Sequence, residues 1–277
     1  MKLKGKYILL LIPGLAGVMI FYVIPFLASM YYSLIKSTFN NEFAGISNYV
    51  SIFSNRYFRL ALANTLEFTA VAVPATVFVS FIIALLLVSR VKKFLVVRMA
   101  FIVPVLLPSA AVIFFWQMIF PESVFSGMVT GKLVWLPVYL LFIWKNTGLN
   151  MILFIAAFAA IPADIYEAAA LDGASALKKH IYITAPLVMP AALFVIMLTT
   201  VNSFRIFKEI YLLYGSYPAE SMYTLQNYMN NHFLKMNYQN LAAAAIIFFL
   251  IVYAIVAAGL GTGSLLEKRI GKGMRDG

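Results

Sequence analysis

The chain is written in long apolar runs separated by short polar breaks. A membrane-spanning helix needs roughly 20 mostly apolar residues, and six stretches have that length: about residues 7–35, 69–89, 99–120, 133–161, 186–204 and 241–266. The first carries no charge, and the fourth holds one internal cation, Lys145. The pattern predicts an all-α integral membrane protein with six transmembrane helices in a single domain over residues 1–277. Prolines punctuate the runs: Pro13 and Pro25 in the first, Pro74 in the second, Pro104 and Pro108 in the third, Pro137 in the fourth. Each removes a backbone donor and can kink its helix. Tolerated kinks and kinks around a central pathway are both compatible with this spacing. Gly259 and Gly263 have the separation that permits close helix contact.

Lys2, Lys4 and Lys6 precede the first run, as in a secretory signal peptide. The run is too long for such a signal's apolar core, and no small-x-small cleavage site follows. It is therefore expected to remain as the first span.

Composition fits lipid as the main solvent. Hydrophobic residues make up 63% and charged residues 11%, against about 25% charged in a soluble domain. The net charge of +11 could suggest nucleic acid, but no basic helix or stripe carries it, so no nucleic-acid partner is expected. The excess instead sets orientation, because Lys and Arg concentrate on the cytoplasmic side. With the N-terminus inside, thirteen basic residues fall in cytoplasmic segments and seven in external ones. Both termini are thus expected in the cytoplasm. With no cysteine, disulfides, thiolate catalysis and cysteine-ligated metals are excluded, and with only His180 and His232 a multi-histidine metal site is not expected.

Beyond the spans, the long cytoplasmic segment is residues 161–190, read as two short helices joined at a glycine. Pro162 suits a helix start, and Asp164 with Glu167 has the spacing of an N-terminal cap. Ile165, Ala168, Ala169 and Leu171 form a compact apolar face. Asp172-Gly173 ends the first helix, since glycine takes the positive φ that other residues resist. A second helix is expected from about Ala174, with Pro186 and Pro190 stopping it and opening span five. An ordinary helical hairpin would account for the segment. An alanine-rich face edged by one acid, Glu167, also suits a knob entering a groove on a soluble partner.

The segment resembles a known family. Glu167-Ala168-Ala169, Gly173, Ile183 and Pro186 reproduce the EAA motif of the membrane subunits of bacterial binding-protein-dependent ABC importers, and Asp172-Gly173-Ala174 is similar to its carbohydrate-branch form. The resemblance implies that this loop is the coupling element seated in a cleft of the ATP-binding subunit, with Asp164, Tyr166, Glu167, Ala168, Ala169, Asp172, Gly173, Ala174, Ile183 and Pro186 in the docking set. Ala185 stands where the family usually has leucine, and His180 where phenylalanine is frequent. Residues 13–37, Asn64-Thr65, and the stretch 204–211 with Pro218 and Thr224-Leu225 resemble maltose- and glycerol-phosphate-type permeases, the last resembling the first of two paired permeases. Residues 121–135 are shorter than that family usually shows. Implied partners are a second permease in a heterodimer, two ATP-binding subunits and an external solute-binding protein, in the bacterial cytoplasmic membrane.

Residues 127–132 superficially suggest a phosphate loop, but the spacing is wrong and Leu133 follows Lys132 where Ser or Thr is needed. This chain is therefore expected to bind no cofactor and to perform no catalysis, with ATP and Mg on the partner ATPase.

Polar residues inside spans are functional candidates. Trp144, Asn146 and Asn150 in span four and Asn202 in span five form a possible substrate pathway, since an aromatic beside amides suits a sugar. Interhelical hydrogen bonding, which such residues commonly provide in bundles, is the simpler account. Lys145 is expected to snorkel or to pair with an acid on another helix. External Tyr and Asn residues over 211–240 could meet a binding protein, although interfacial anchoring is the simpler account. The span interiors contain no Asp or Glu, which argues against an ion-coupled secondary transporter. No intramembrane protease or hydrolase motif is present. A sugar or oligosaccharide is the expected solute, with a polyol or glycerol-phosphate compound as the alternative.

Overall fold

The computed structural model describes residues 5–37, 41–88, 95–120 and 134–273. Lys2, Lys4, the basic stretch 89–94, residues 121–133 and Arg275 lie outside them. Named in chain order, the helices are α1 (Gly5–Val18), α2 (Ile24–Ser33), α3 (Ser47–Ser54), α4 (Arg56–Val88), α5 (Leu95–Leu106), α6 (Ser109–Ile119) and α7 (Leu136–Ala159). They continue with α8 (Ala163–Leu171), α9 (Ala176–Lys179), α10 (Ala185–Ser203), α11 (Phe207–Tyr214), α12 (Leu225–Leu234) and α13 (Tyr238–Gly273).

Helix α4 runs on for 33 residues despite Pro74 and lies along α7 at the centre of the bundle. One end is held by Phe68, Trp135, Phe142, Ile206 and Met222. The other is held by Leu87, Phe154, Phe158 and Val188. Helix α2 packs at the rim, where Phe26 meets Phe249 of α13 at 4.9 Å. Its outer face is bare and apolar, with Phe21 of the preceding turn 74% exposed, as expected of a surface that meets lipid.

Two prolines are absorbed in the same way. A π-helical turn at Met19–Val23 precedes Pro25, and another at His180–Thr184 precedes Pro186. Each wide turn ends with a backbone N–H reaching five residues back, Ile24 to Met19 and Ala185 to His180. The chain thereby passes the missing proline donor without a break. Span five therefore does not start afresh at Pro186, as the sequence suggested. It is continuous with α9, which begins at Ala176, later than expected, behind the Ser175 cap.

The third span differs most from expectation. It is two half-helices, α5 and α6, bent by 114° at Leu107–Pro108. Pro108 is extended (ψ 140°); it has no N–H to give and disfavours helical backbone at Leu107. The pair still makes one net crossing. Chain enters it from the end where Leu87 packs on Phe158, and leaves toward Val134 and Trp135, which pack on Phe68 at the opposite end.

The glycines sort by neighbour. Gly259 faces Met197 and Gly263 faces Leu193, so the expected small-residue pair does lie against α10, through flexible side-chain tips. The tighter crossing is Gly148 of α7 against the Phe101 carbonyl of α5.

At the end holding α3, α11 and α12, the Asn64 amide donates to the Glu220 and Tyr223 carbonyls at 2.7 and 3.1 Å. Thr65 accepts from the Leu225 N–H at 2.9 Å. These two residues at the head of α4 thus fix the excursion between α11 and α12. The loop carrying α8 and α9 lies at the other end.

Candidate functional site

Helix α8 has no buried residue. Its start is Pro162, with no side-chain cap, so the Asp164–Glu167 cap expected from spacing is not formed and both carboxylates stay exposed. Its end is a full Schellman motif. Gly173 sits at φ +74°, its N–H bonds the Ala170 carbonyl at 3.1 Å, and the Ala174 N–H bonds Ala169 at 2.9 Å. The alanine face is left open at Ala168, while Ala169 and Ala174 are half-buried. Leu171 is 90% exposed and Leu177 68% exposed. Asp172 and Pro186 are exposed, and Ile183 is half-buried within the π turn.

One anchor, missed from sequence, ties the loop to span five. Thr184 is buried and its hydroxyl meets the Tyr166 hydroxyl at 2.8 Å. His180 Nδ1 lies 3.4 Å from the same hydroxyl. The signal available in sequence was a lone Thr one turn after a polar His, which is too common to stand out.

The four span candidates divide. Asn202 donates its amide to Asn146 Oδ1 at 3.0 Å, and both line one cavity of about 280 Å³. Asn150 is buried elsewhere, donating to Thr199 Oγ1 at 2.8 Å, which joins α7 to α10. Trp144 stacks with Phe115 and Trp116 of α6 at 6.2 and 5.9 Å, in an aromatic cluster beside the cavity.

The cavity opens where the third span breaks. Val105 and Ser109 contribute from the two half-helices, Lys145 and Leu149 from α7, and Arg205, Lys208 and Glu209 from around the start of α11. Lys145 Nζ contacts Glu209 Oε1 at 2.6 Å and Ser109 Oγ at 2.9 Å. The Ser109 hydroxyl donates to the same carboxylate oxygen at 3.2 Å. With Glu209 7% and Lys145 22% exposed, this is a half-buried ion pair in a low-dielectric setting, and it resolves the choice left open for Lys145. Ser109 opens α6, whose N-terminal dipole favours the carboxylate beside it. Glu209 and Ser109 were not anticipated. The signal for Glu209 was a cation in span four with no acid in any span.

A second cavity of about 460 Å³ lies among the residues of the opposite excursion, with Tyr57, Tyr217, Tyr223, Tyr228, Asn231 and His232 in its wall. Burial, then the neighbouring Lys235, holds the His232 imidazole below its usual value. Burial pushes the Tyr228 phenol up to about 12. Both groups are thus neutral at physiological pH.

Residues 76–272 match the family described as binding-protein-dependent transport system inner membrane component. The chain is 28% identical over 272 residues to the trehalose/maltose transport system permease protein MalF of Thermococcus litoralis, covering 92% of each. It is 30% identical over 233 residues to the arabinooligosaccharides transport system permease protein AraP of Bacillus subtilis, covering 78% of this chain and 74% of that one. Its fold is similar to that of a bacterial ABC transporter involved in import of the acidic polysaccharide alginate, at TM-score 0.80 and 20% identity over 94% of each chain.

Proposed function

Because the chain belongs to the family of binding-protein-dependent transport system inner membrane components, we propose that α8 docks an ATP-binding subunit and that the cavity at Asn146 and Asn202 passes a sugar or oligosaccharide. The chain is a multi-pass membrane permease subunit of an ABC importer. The names of the relatives, for trehalose/maltose and for arabinooligosaccharides, support a saccharide. The observation that carries the docking assignment is α8 itself: a helix with no buried residue, ending in a 90% exposed leucine. Such a surface calls for a partner.

The complete assembly in this reading has a second permease, two ATP-binding subunits and an external solute-binding protein. ATP and Mg belong to the ATP-binding subunits, and this chain catalyses nothing. The excess of basic residues on one side supports a cytoplasmic placement for both termini and for α8. Closure of the ATPase pair then moves α8. The Tyr166–Thr184 contact and the unbroken run into α10 pass that movement to the spans, exposing the pathway to alternate sides.

Glu167→Lys and Gly173→Val test the docking role. Valine resists the φ of +74° at 173, a strain of about 1–3 kcal/mol confined to an exposed turn. Both variants are expected to insert normally, to lose co-purification of the ATP-binding subunit, and to lose ATP-driven uptake. Wild-type uptake by a normally assembled complex carrying either variant would refute the assignment.

A further inference from the structure

The cavity at the broken third span is electrically unbalanced. Three cations line it, Lys145, Arg205 and Lys208, against one carboxylate, Glu209. That carboxylate is already engaged: its Oε1 takes both Lys145 Nζ and the Ser109 hydroxyl. Arg205 and Lys208 are exposed, and among the described residues no carboxylate lies within ion-pair distance of either. Two positive charges are therefore left over at the mouth of a cavity whose remaining wall mixes Val105, Leu141, Phe142, Leu149 and Ile206 with Ser109, Asn146 and Asn202.

Cations at a membrane surface ordinarily serve as anchors to lipid phosphates. These two instead share a cavity with the Asn146–Asn202 pair, one of the polar points at which α7 meets α10. A cleft with an excess of one sign of charge focuses its field and enriches counter-ions there. A guanidinium offers forked donors that match a planar or tetrahedral oxyanion, and an ammonium adds a point charge. A neutral sugar would use neither fully, and two unneutralised cations would then oppose each other across its path.

We infer that the solute passing this cavity is anionic: a glycoside or polyol bearing a carboxylate, phosphate or sulfonate, with Arg205 and Lys208 as its charge-recognising contacts. The inference rests on the importer reading above, and it admits charged polyols beside the saccharides proposed there. Lys145, neutralised by Glu209, is not free to follow the ligand.

The test uses the complete importer with its binding protein, in phosphatidylcholine vesicles and in parallel vesicles containing phosphatidylglycerol. ATP-driven uptake is measured for trigalacturonate, glycerol 3-phosphate and a sulfonated glucoside, each beside its uncharged counterpart. The expected result is uptake of an anionic member in preference to its neutral partner. Arg205→Gln and Lys208→Gln should each raise the KM for that anion by about tenfold with little change in kcat, and Arg205→Lys should restore most of it. Both cations are exposed, so the complex should assemble in each variant. Preferential uptake of a neutral member would overturn the inference and leave the importer reading standing, as would indifference of anion uptake to both charge removals. An effect confined to vesicles containing phosphatidylglycerol would assign the cations to lipid headgroups and overturn it equally. Entry of a neutral maltooligosaccharide with ATP while every anionic member is excluded would overturn the inference and leave the importer reading standing.

Discussion

Gly148→Ala is expected to be among the most destabilising single-methyl substitutions in this chain. A Cβ at that position would stand 1.8 Å from the Phe101 carbonyl oxygen and 2.5 Å from its carbon. The obstacle is backbone, so no rotamer change relieves it, and α5 must move off α7. Overpacking commonly costs 1–3 kcal/mol, and a clash this deep places the loss at about 3 kcal/mol or more. The unfolding midpoint in detergent should fall by several degrees, with loss of the complex on size-exclusion chromatography. Gly261→Ala is the control, because nothing lies within 4 Å of its added Cβ; its midpoint should match wild type or rise slightly. Equal midpoints for the two variants would show that the close crossing does not exist.

The second large effect concerns the Lys145–Glu209 pair. Glu209→Gln leaves a partly buried ammonium facing only Ser109 and a neutral amide. Breaking a buried pair from one side costs about 3–5 kcal/mol, and the 22% exposure of Lys145 places this site near the lower end. The paired change Lys145→Met with Glu209→Leu removes both charges and is expected to recover most of the lost stability. The coupling energy from the cycle of Lys145→Met, Glu209→Leu and the pair should therefore be large and favourable. Additive losses would mean that the 2.6 Å contact contributes nothing net. Transport is expected to fail in the double variant despite its recovered stability, since the cavity would lose its polar floor.

These residues also mark where sequence reasoning works and where it stops. Long apolar runs gave helices because lipid forces every backbone group to be satisfied within its own segment, and the loop at 161–190 stood out by its motif. Proline content did not separate a bend from a break. Pro25 and Pro186 follow π turns that carry the chain past them, Pro74 sits inside one continuous helix, and Pro108 ends one. What differs is the surroundings: Pro108 stands next to Ser109, which lines the polar cavity. Glycine spacing was similarly one-sided. The Gly259–Gly263 pair meets side chains, whereas Gly148, which has no partner glycine four residues away, meets a backbone carbonyl. Spacing reports a helix's own face and says nothing of what approaches it. Glu209 was hidden for the same reason. It lies outside every span in sequence, yet folds back beneath one in space.

The broken third span bears on how the protein is made. To the insertion machinery, residues 99–120 present a single apolar run long enough to cross. In the finished bundle they fall in two half-helices, Leu95–Leu106 and Ser109–Ile119, of 12 and 11 residues, each about 16–18 Å long at 1.5 Å per residue and too short to cross alone. The bend at Leu107–Pro108 is stabilised from outside, by Gly148 and Lys145 on α7 and by Glu209 on α11, all synthesised later. The third span is thus inserted by its hydropathy and shaped by its successors. Its backbone can give up helical partners only after those segments supply a polar lining, so the cavity and the bend around it form in one late step of assembly.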